Sequence, residues 1–373
     1  MDIIGPVGVL VAILLAVEFG VRVYQRLTQG SPPLLAAYRA PRAKVLAYES
    51  HPYALYVKRP GVAGLYPSNN LGYGGTRAVV RQKAPGVVRI YCAGGSTTEQ
   101  HDPARGPNSS WPGQLQDILA KGLPGATIEG INAGMSGYTS AESLAEFVFR
   151  GVDLQPDVLL IYHNVNDAWT CQMVDGFRSD YTHVRRHKPW SVGWVNRLPQ
   201  MPYVRFWELL RGRVIERLGG AQSLLYWISD PPWNTASVAS AEAVRVFRRN
   251  VTNLVASATL WGCVPVLIKW ECDWAEVQLP PFLERTEDTA RTFCEYLRRN
   301  NAVREEVAAA SDRCHHLDVG PFETKHFGPD GMHFSGEGLA EMARRVARGV
   351  EPIVTRIVER RPASIASPAT TRS

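Results

Sequence analysis

The six cysteines of this 373-residue chain include no CxxC pair, which argues against a zinc knuckle or a thioredoxin-type redox pair. Cys92 and Cys263 sit in or beside apolar runs and read as small buried hydrophobes. A strong charge of one sign is missing as well. Lys and Arg number 41 against 35 Asp and Glu, a net +6, and half of that excess lies in Pro352–Ser373, with four Arg against one Glu. A nucleic-acid binder shows a basic face together with a recognisable motif. This chain has neither, so no nucleic acid is expected as a partner. Gly94-Gly95-Ser96 lacks the Gly-Lys-Ser/Thr of a phosphate loop, which disfavours nucleotide binding. His183 and His187 are four apart, but the glutamate of HExxH is absent, and they read as part of a solvated basic segment. His315 and His316 are adjacent in a strand candidate, where neighbouring side chains face opposite ways, so they are not expected to share a metal.

What is present is globular. Hydrophobic residues make up 45%, charged residues 20% and aromatics 9%, which excludes a disordered, collagen-like or polytopic membrane chain. The length alone predicts about two domains at roughly 150 residues each. Ile3–Val17 is uncharged and mostly aliphatic, and the apolar character resumes after Glu18 to reach Tyr24, about the ~20 residues that cross a bilayer. Met1-Asp2 is not a basic start and no A-x-A site follows, so the run is expected to be an uncleaved transmembrane anchor rather than a signal peptide. Arg22 and Arg26 follow the span and Asp2 precedes it, a bias that on its own favours a cytoplasmic domain.

From Gln29 to Gly86 the chain is rich in Pro, Gly and Tyr with little periodicity, and reads as a linker and irregular lead-in. Regular alternation then begins. Val87–Cys92, Ala126–Ile131, Asp157–Tyr162, Val264–Trp270 and Cys314–Val319 are strand candidates, separated by helical spacing over Trp111–Leu123, Ser140–Val152, Ser237–Trp261 and Glu284–Ser311 and closed by a helix over Gly336–Val358. Short apolar strands alternating with helices predict an α/β fold with a parallel sheet covered on both faces. Residues 168–236 interrupt the alternation. They hold Trp169, Trp190, Trp194, Trp207, Trp227 and Trp233 with Arg185, Arg186 and Lys188, and read as an insertion over the sheet.

Ligands of open α/β sheets sit at the carboxyl ends of the strands. There the first three strands end at Ser96, Gly137 and Asn166, and Asp330-Gly331-Met332-His333 comes near the end of the chain. A carboxylate three residues before a histidine can hold one ring nitrogen, leaving the other to take a serine proton. Backbone N–H groups at Ser96 and Gly137 and the Asn166 amide can face an oxyanion. Each block has an ordinary reading too: Ser96 as a helix N-cap with Glu99 at capping-box spacing, Asn166-Asp167 as an Asx turn. It is their order that carries the argument.

This ordered set resembles the SGNH (GDSL-type) hydrolase superfamily. Gly94-Gly95-Ser96-Thr97-Thr98 resembles its first block in the GGST form, Asn132-Ala133-Gly134-Met135-Ser136-Gly137 the second, Asn164-Val165-Asn166-Asp167 the GxND of the third, and Asp330 with His333 the closing DxxH. Asn164 stands where that pattern has Gly. Asn69-Asn70-Leu71-Gly72-Tyr73 and the Glu18–Arg22 spacing resemble membrane-anchored bacterial members. The resemblance implies a three-layer α/β/α fold on a mostly parallel, five-stranded, flavodoxin-like sheet. It also implies a catalytic Ser96, Asp330 and His333, an oxyanion hole of Ser96, Gly137 and Asn166, no metal or organic cofactor, and an ester substrate. Further expectations follow for the layout: an anchor over 1–28, a lead-in over 29–86, one hydrolase domain over 87–358, a basic tail over 359–373, and a domain facing out of the cytoplasm. A glycan O-acyltransferase using the same serine, or a retired carbohydrate-binding domain, are the alternatives.

Overall fold

The computed structural model describes residues 9, 12–20, 23, 47–64, 66–173, 177–183, 238–279 and 286–360. Two short strands, β1 (Tyr48–His51) and β2 (Leu55–Lys58), pair antiparallel as a hairpin. The main sheet contains β3 (Val87–Gly94), β4 (Thr127–Gly134), β5 (Val158–Tyr162), β6 (Val264–Ile268) and β7 (His315–Leu317) in the order β4-β3-β5-β6-β7. Every neighbouring pair is parallel. In order of appearance that arrangement is 2-1-3-4-5, the flavodoxin-like winding, with its switch point between β3 and β5.

The strands are apolar throughout because both faces are covered. Val88, Ile90 and Cys92 of β3 face α2 (Trp111–Gly122) and α7 (Gly336–Glu359), while Tyr91 and Ala93 face the side of α5 (Ala241–Leu260) and α6 (Glu287–Ala309). The helices begin where side-chain oxygens take up the first free backbone N–H groups. Ser110, Ser240, Thr286 and Ser335 cap α2, α5, α6 and α7. Thr139 and Glu142 form a capping box at the start of α3 (Ser140–Glu146), which continues as a π turn over Phe147–Gly151.

Two expectations change. The lead-in is no linker over its described part. The β1–β2 hairpin packs Tyr48, Tyr56 and Val57 against Met135 and Tyr138, and Lys58 is buried and ion-paired with Glu99 at 2.8 Å. Scattered tyrosines without periodicity gave no signal of this, because the hairpin is short and is stabilised from below by the domain. The insertion begins later than residue 168. Ala168–Gln172 belong to α4 (Val165–Gln172), buried on every side, and Tyr181 is buried as well. Trp190, Trp194, Trp207, Trp227 and Trp233, like Arg185, Arg186, His187 and Lys188, lie outside the described residues, as does the tail from residue 361.

The expected transmembrane span from Ile3 to Tyr24 is described only in part. Among the described residues no helix is long and apolar enough to cross a membrane. Residues 9, 12–20 and 23 are helical, and the rest of the run lies outside the described residues.

Candidate active site

Ser96 opens α1 (Ser96–Glu99), a single turn directly after β3. Gly95, not Ser96, is the N-cap, and it makes no side-chain cap, so the Ser96 hydroxyl is not committed to its own helix. It lies 2.8 Å from His333 Nε2, and His333 Nδ1 lies 2.6 Å from Asp330 Oδ2. Burial pushes the Asp330 carboxyl up, but the His333 ring and the backbone N–H groups of His333 and Met332 outweigh it and hold the group at about 2. An ionised carboxylate only accepts. His333 Nδ1 therefore carries the proton in the neutral ring, Nε2 accepts, and the Ser96 hydroxyl donates.

The loop bearing His333 is fastened from both sides. Phe334, the next residue, is buried and stacks on Phe327 at 5.3 Å. The Gln100 side chain grips the Phe334 backbone, accepting from its N–H at 3.0 Å and donating to its carbonyl at 2.5 Å. From the other flank, Gln278 donates to the Asp330 carbonyl through its backbone at 3.0 Å and to the Pro329 carbonyl through its side chain at 2.7 Å. The Gln100 amide thus joins the serine turn to the histidine loop.

Asn166 sits in the first turn of α4, and its amide is oriented by two partners. Trp169 Nε1, which can only donate, lies 3.2 Å from Asn166 Oδ1, so Nδ2 turns the other way and donates to the Tyr138 carbonyl at 2.8 Å. An amide nitrogen has two hydrogens, and one of them remains beside the serine turn. A Cβ at Gly95 would stand 2.6 Å from Asn166 Nδ2, too close for any side chain, so glycine here is what lets the amide approach. Gly137 has φ +82, a left-handed backbone that favours glycine. Asn164 needs no glycine: its φ is −169, and its side chain donates to the Leu297 carbonyl and accepts from Asn300, each at 2.9 Å.

Glu99, at capping-box spacing from Ser96, caps nothing. Its buried carboxylate takes Lys58 at 2.8 Å, the Ser136 N–H at 2.7 Å, and the hydroxyls of Ser136 and Tyr48. Burial pushes this carboxyl up, and Lys58 and the hydroxyls more than reverse it, leaving it below the usual range. Sequence reasoning missed Lys58, Tyr48 and Trp169 as supports of the site. The only signal was the unusual coincidence of a lysine in an otherwise apolar strand, Leu55–Lys58.

His183 is engaged away from the serine. His183 Nδ1 accepts from the Arg178 N–H and Nε2 faces the Thr170 carbonyl, both at 3.1 Å. Among the described residues no group of three or more His, Cys, Asp or Glu is placed to hold a metal. The six cysteines are free thiols, and Cys92 is pushed far up by burial.

A parallel sheet whose carboxyl edge carries a Ser–His–Asp chain of hydrogen bonds has the layout of a serine-dependent acyl hydrolase. The chain belongs to the GDSL-like Lipase/Acylhydrolase family, whose model matches residues 92–340, and it is an ester-hydrolysing enzyme. Solved structures similar to it include a lipase/acylhydrolase from Enterococcus faecalis, 18% identical with a TM-score of 0.40 over 71% of this chain and 96% of that one. A GDSL-like lipase from Bacteroides thetaiotaomicron is 15% identical, with a TM-score of 0.39 over 71% and 88%. A variant of an acetyl xylan esterase from Geobacillus stearothermophilus is 14% identical, with a TM-score of 0.39 over 73% and 97%. No curated protein matches the chain.

Proposed function

We propose that the protein is a serine esterase of the SGNH type acting on short acyl or acetyl esters, with Ser96 as nucleophile. The observation that carries this reading is the unbroken run from the Ser96 hydroxyl through His333 to Asp330, at 2.8 and 2.6 Å. Ser96 Oγ attacks the ester carbonyl carbon while His333 Nε2 takes its proton. Asp330 holds the ring and stabilises its cationic form. The Ser96 and Gly137 backbone N–H groups and the second Asn166 amide hydrogen stabilise the oxyanion. Collapse of the tetrahedral intermediate expels the alcohol, which takes the proton from His333. Water then attacks the acyl-enzyme and releases the acid. Ser96 and His333 are half-buried rather than sealed, so a solvent-borne ester can reach them.

We also propose that the N-terminal apolar run anchors the chain in a membrane, with the catalytic domain outside the cytoplasm. In its support, Ile13, Leu14, Leu15 and Phe19 are 47 to 69% exposed, a cost in water that lipid removes.

The test is an ester panel from acetyl to long acyl, acetylated sugars included, run with and without glycan acceptor. Free acid from the short esters, and loss of fluorophosphonate labelling in Ser96→Ala, are the expected results. Acylated acceptor forming faster than free acid would make the protein a transferase. Inactivity on every ester would revive the retired carbohydrate-binding reading.

A further inference from the structure

The edge of the sheet opposite Ser96 has a surface with no part in this chemistry. There α5 ends at Leu260, the chain turns into β6 at Val264 and into β7 at His315, and the last turns of α7 run alongside. Between them lies a pocket of about 360 Å³ with Val264, Ile353 and Ile357 as apolar lining and Arg313, Arg356 and Arg360 as its basic groups, against the one carboxylate of Asp312. A neighbouring depression shares Arg356 and adds Arg348 together with the carboxylate of Glu351. Other arginines are neutralised by carboxylates: Arg344 and Arg345 on the same helix pair with Glu341 at 2.5 and 2.6 Å, and Arg299 pairs with Glu295 at 2.5 Å. No such ion pair reaches Arg313, Arg348, Arg356 or Arg360 among the described residues. Beside this pocket, bracketed in the chain by its lining residues Thr259 and Gly262, Leu260 is 81% and Trp261 63% exposed.

Un-neutralised arginines beside an exposed tryptophan and leucine complement a surface with anions in a plane above an apolar layer. Anionic phospholipid has that order of chemistry. A small soluble anion would account for the pocket but not for Leu260 and Trp261 outside it. We propose that this end of the domain docks on an anionic membrane surface. Trp261 and Leu260 enter the headgroup layer, and Arg313, Arg356 and Arg360 hold a lipid phosphate. The active site then faces away from the bilayer, set off by the length of β3, eight residues or about 26 Å. The surface carries this inference by itself, and it extends the proposed function to an interaction that neither the serine chemistry nor the N-terminal helix requires.

The experiment is hydrogen exchange on the full chain, with nanodiscs of phosphatidylcholine alone or mixed with phosphatidylglycerol. With the anionic discs, amides of residues 259–264 and 312–316 are expected to exchange at least about tenfold more slowly, an effect that shrinks in 1 M salt as the screening length shortens. The double variant Arg313→Glu/Arg356→Glu is expected to lose at least about 25-fold in surface partition, roughly fivefold per arginine. Its turnover of a water-soluble acetate ester is expected to be unchanged. Leu260→Ser/Trp261→Ser is expected to weaken lipid protection as well. Equal exchange in both discs overturns the proposal, and so does the same protection from inorganic phosphate alone. Ser96→Ala is expected to show the full protection, so failure of the esterase reading is seen separately. An N-terminal segment left in water with both discs removes the anchor and leaves this readout standing.

Discussion

Single side chains in this site act through the partners that fix them. Asn166 illustrates this: an indole that can only donate holds its oxygen, and the Tyr138 carbonyl holds one amide hydrogen, so the second hydrogen has one direction left. Removing one oxyanion donor typically costs 10²–10³ in turnover, about 2.7–4 kcal/mol. Asn166→Ala is therefore expected to lower kcat by about that factor in steady-state assays, and near-normal turnover would remove Asn166 from the oxyanion hole. His163 gives a second prediction. Its Nε2 meets the Ser143 hydroxyl at 2.7 Å, and burial, with Arg304 nearby, pushes the ring down to about 3. The unfolded chain takes up that proton near 6.5. The stabilisation is thus complete above pH 6.5 and is lost as pH falls toward 3. Between pH 6.5 and 5 the loss reaches about 2 kcal/mol. Asp167 and Glu146, pushed up to about 7 by burial, contribute in the opposite sense. The readout is accordingly the difference between wild type and His163→Gln in denaturant titrations at the two pH values: the variant is expected to lose less stability on acidification, and parallel losses would refute the assignment.

At the scale of elements, the site is a joint between three loops and a hairpin. Lys58 at the end of β2 meets Glu99 at the end of α1, and Glu99 in turn takes the Ser136 N–H next to Gly137. Breaking a buried pair by removing one partner typically costs 3–5 kcal/mol, because the other charge stays buried. Lys58→Met is expected to destabilise the domain by about 3 kcal/mol in chemical denaturation, and Lys58→Met/Glu99→Gln by less than that. A single-variant loss below about 1 kcal/mol would show the pair to be incidental. This is also where the sequence stops being legible. The strands and helices of the sheet were readable because each is a long periodic run: Glu284–Ser311 predicts a helix and Glu287–Ala309 forms one. Ser96, Gly137 and Asn166 stand out in the sequence because strand ends mark where a ligand site lies, and Asp330 and His333 because of their three-residue spacing; the structure brings Ser96, His333 and Asp330 into hydrogen-bond contact. The hairpin, the Gln100 clamp and the Lys58–Glu99 pair were not readable. Gln100 reaches Phe334 and Lys58 reaches Glu99 across the fold, and a single sequence holds no register for contacts so far apart.

For the whole molecule, the prior of two domains gives way to one sheet that both halves of the chain complete, since β3 and β7 flank the same core. The proposed anchor makes a prediction at this scale. The full chain is expected to remain with membranes after alkaline carbonate extraction, and alkaline phosphatase fused after Ser373 is expected to be active. A fluorescent GFP fusion in place of an active phosphatase would put the domain in the cytoplasm, and release by carbonate would remove the anchor. Finally, Ser96 and its base are separated by 237 positions. If Ser96 is the nucleophile we propose, it emerges during synthesis long before the histidine that would activate it, and a nascent or prematurely terminated chain has a serine with nothing to take its proton. On that reading hydrolytic competence is acquired at one late moment, when the Asp330–His333 loop meets α1, and fragments lacking that loop are expected to be inert towards the esters around them.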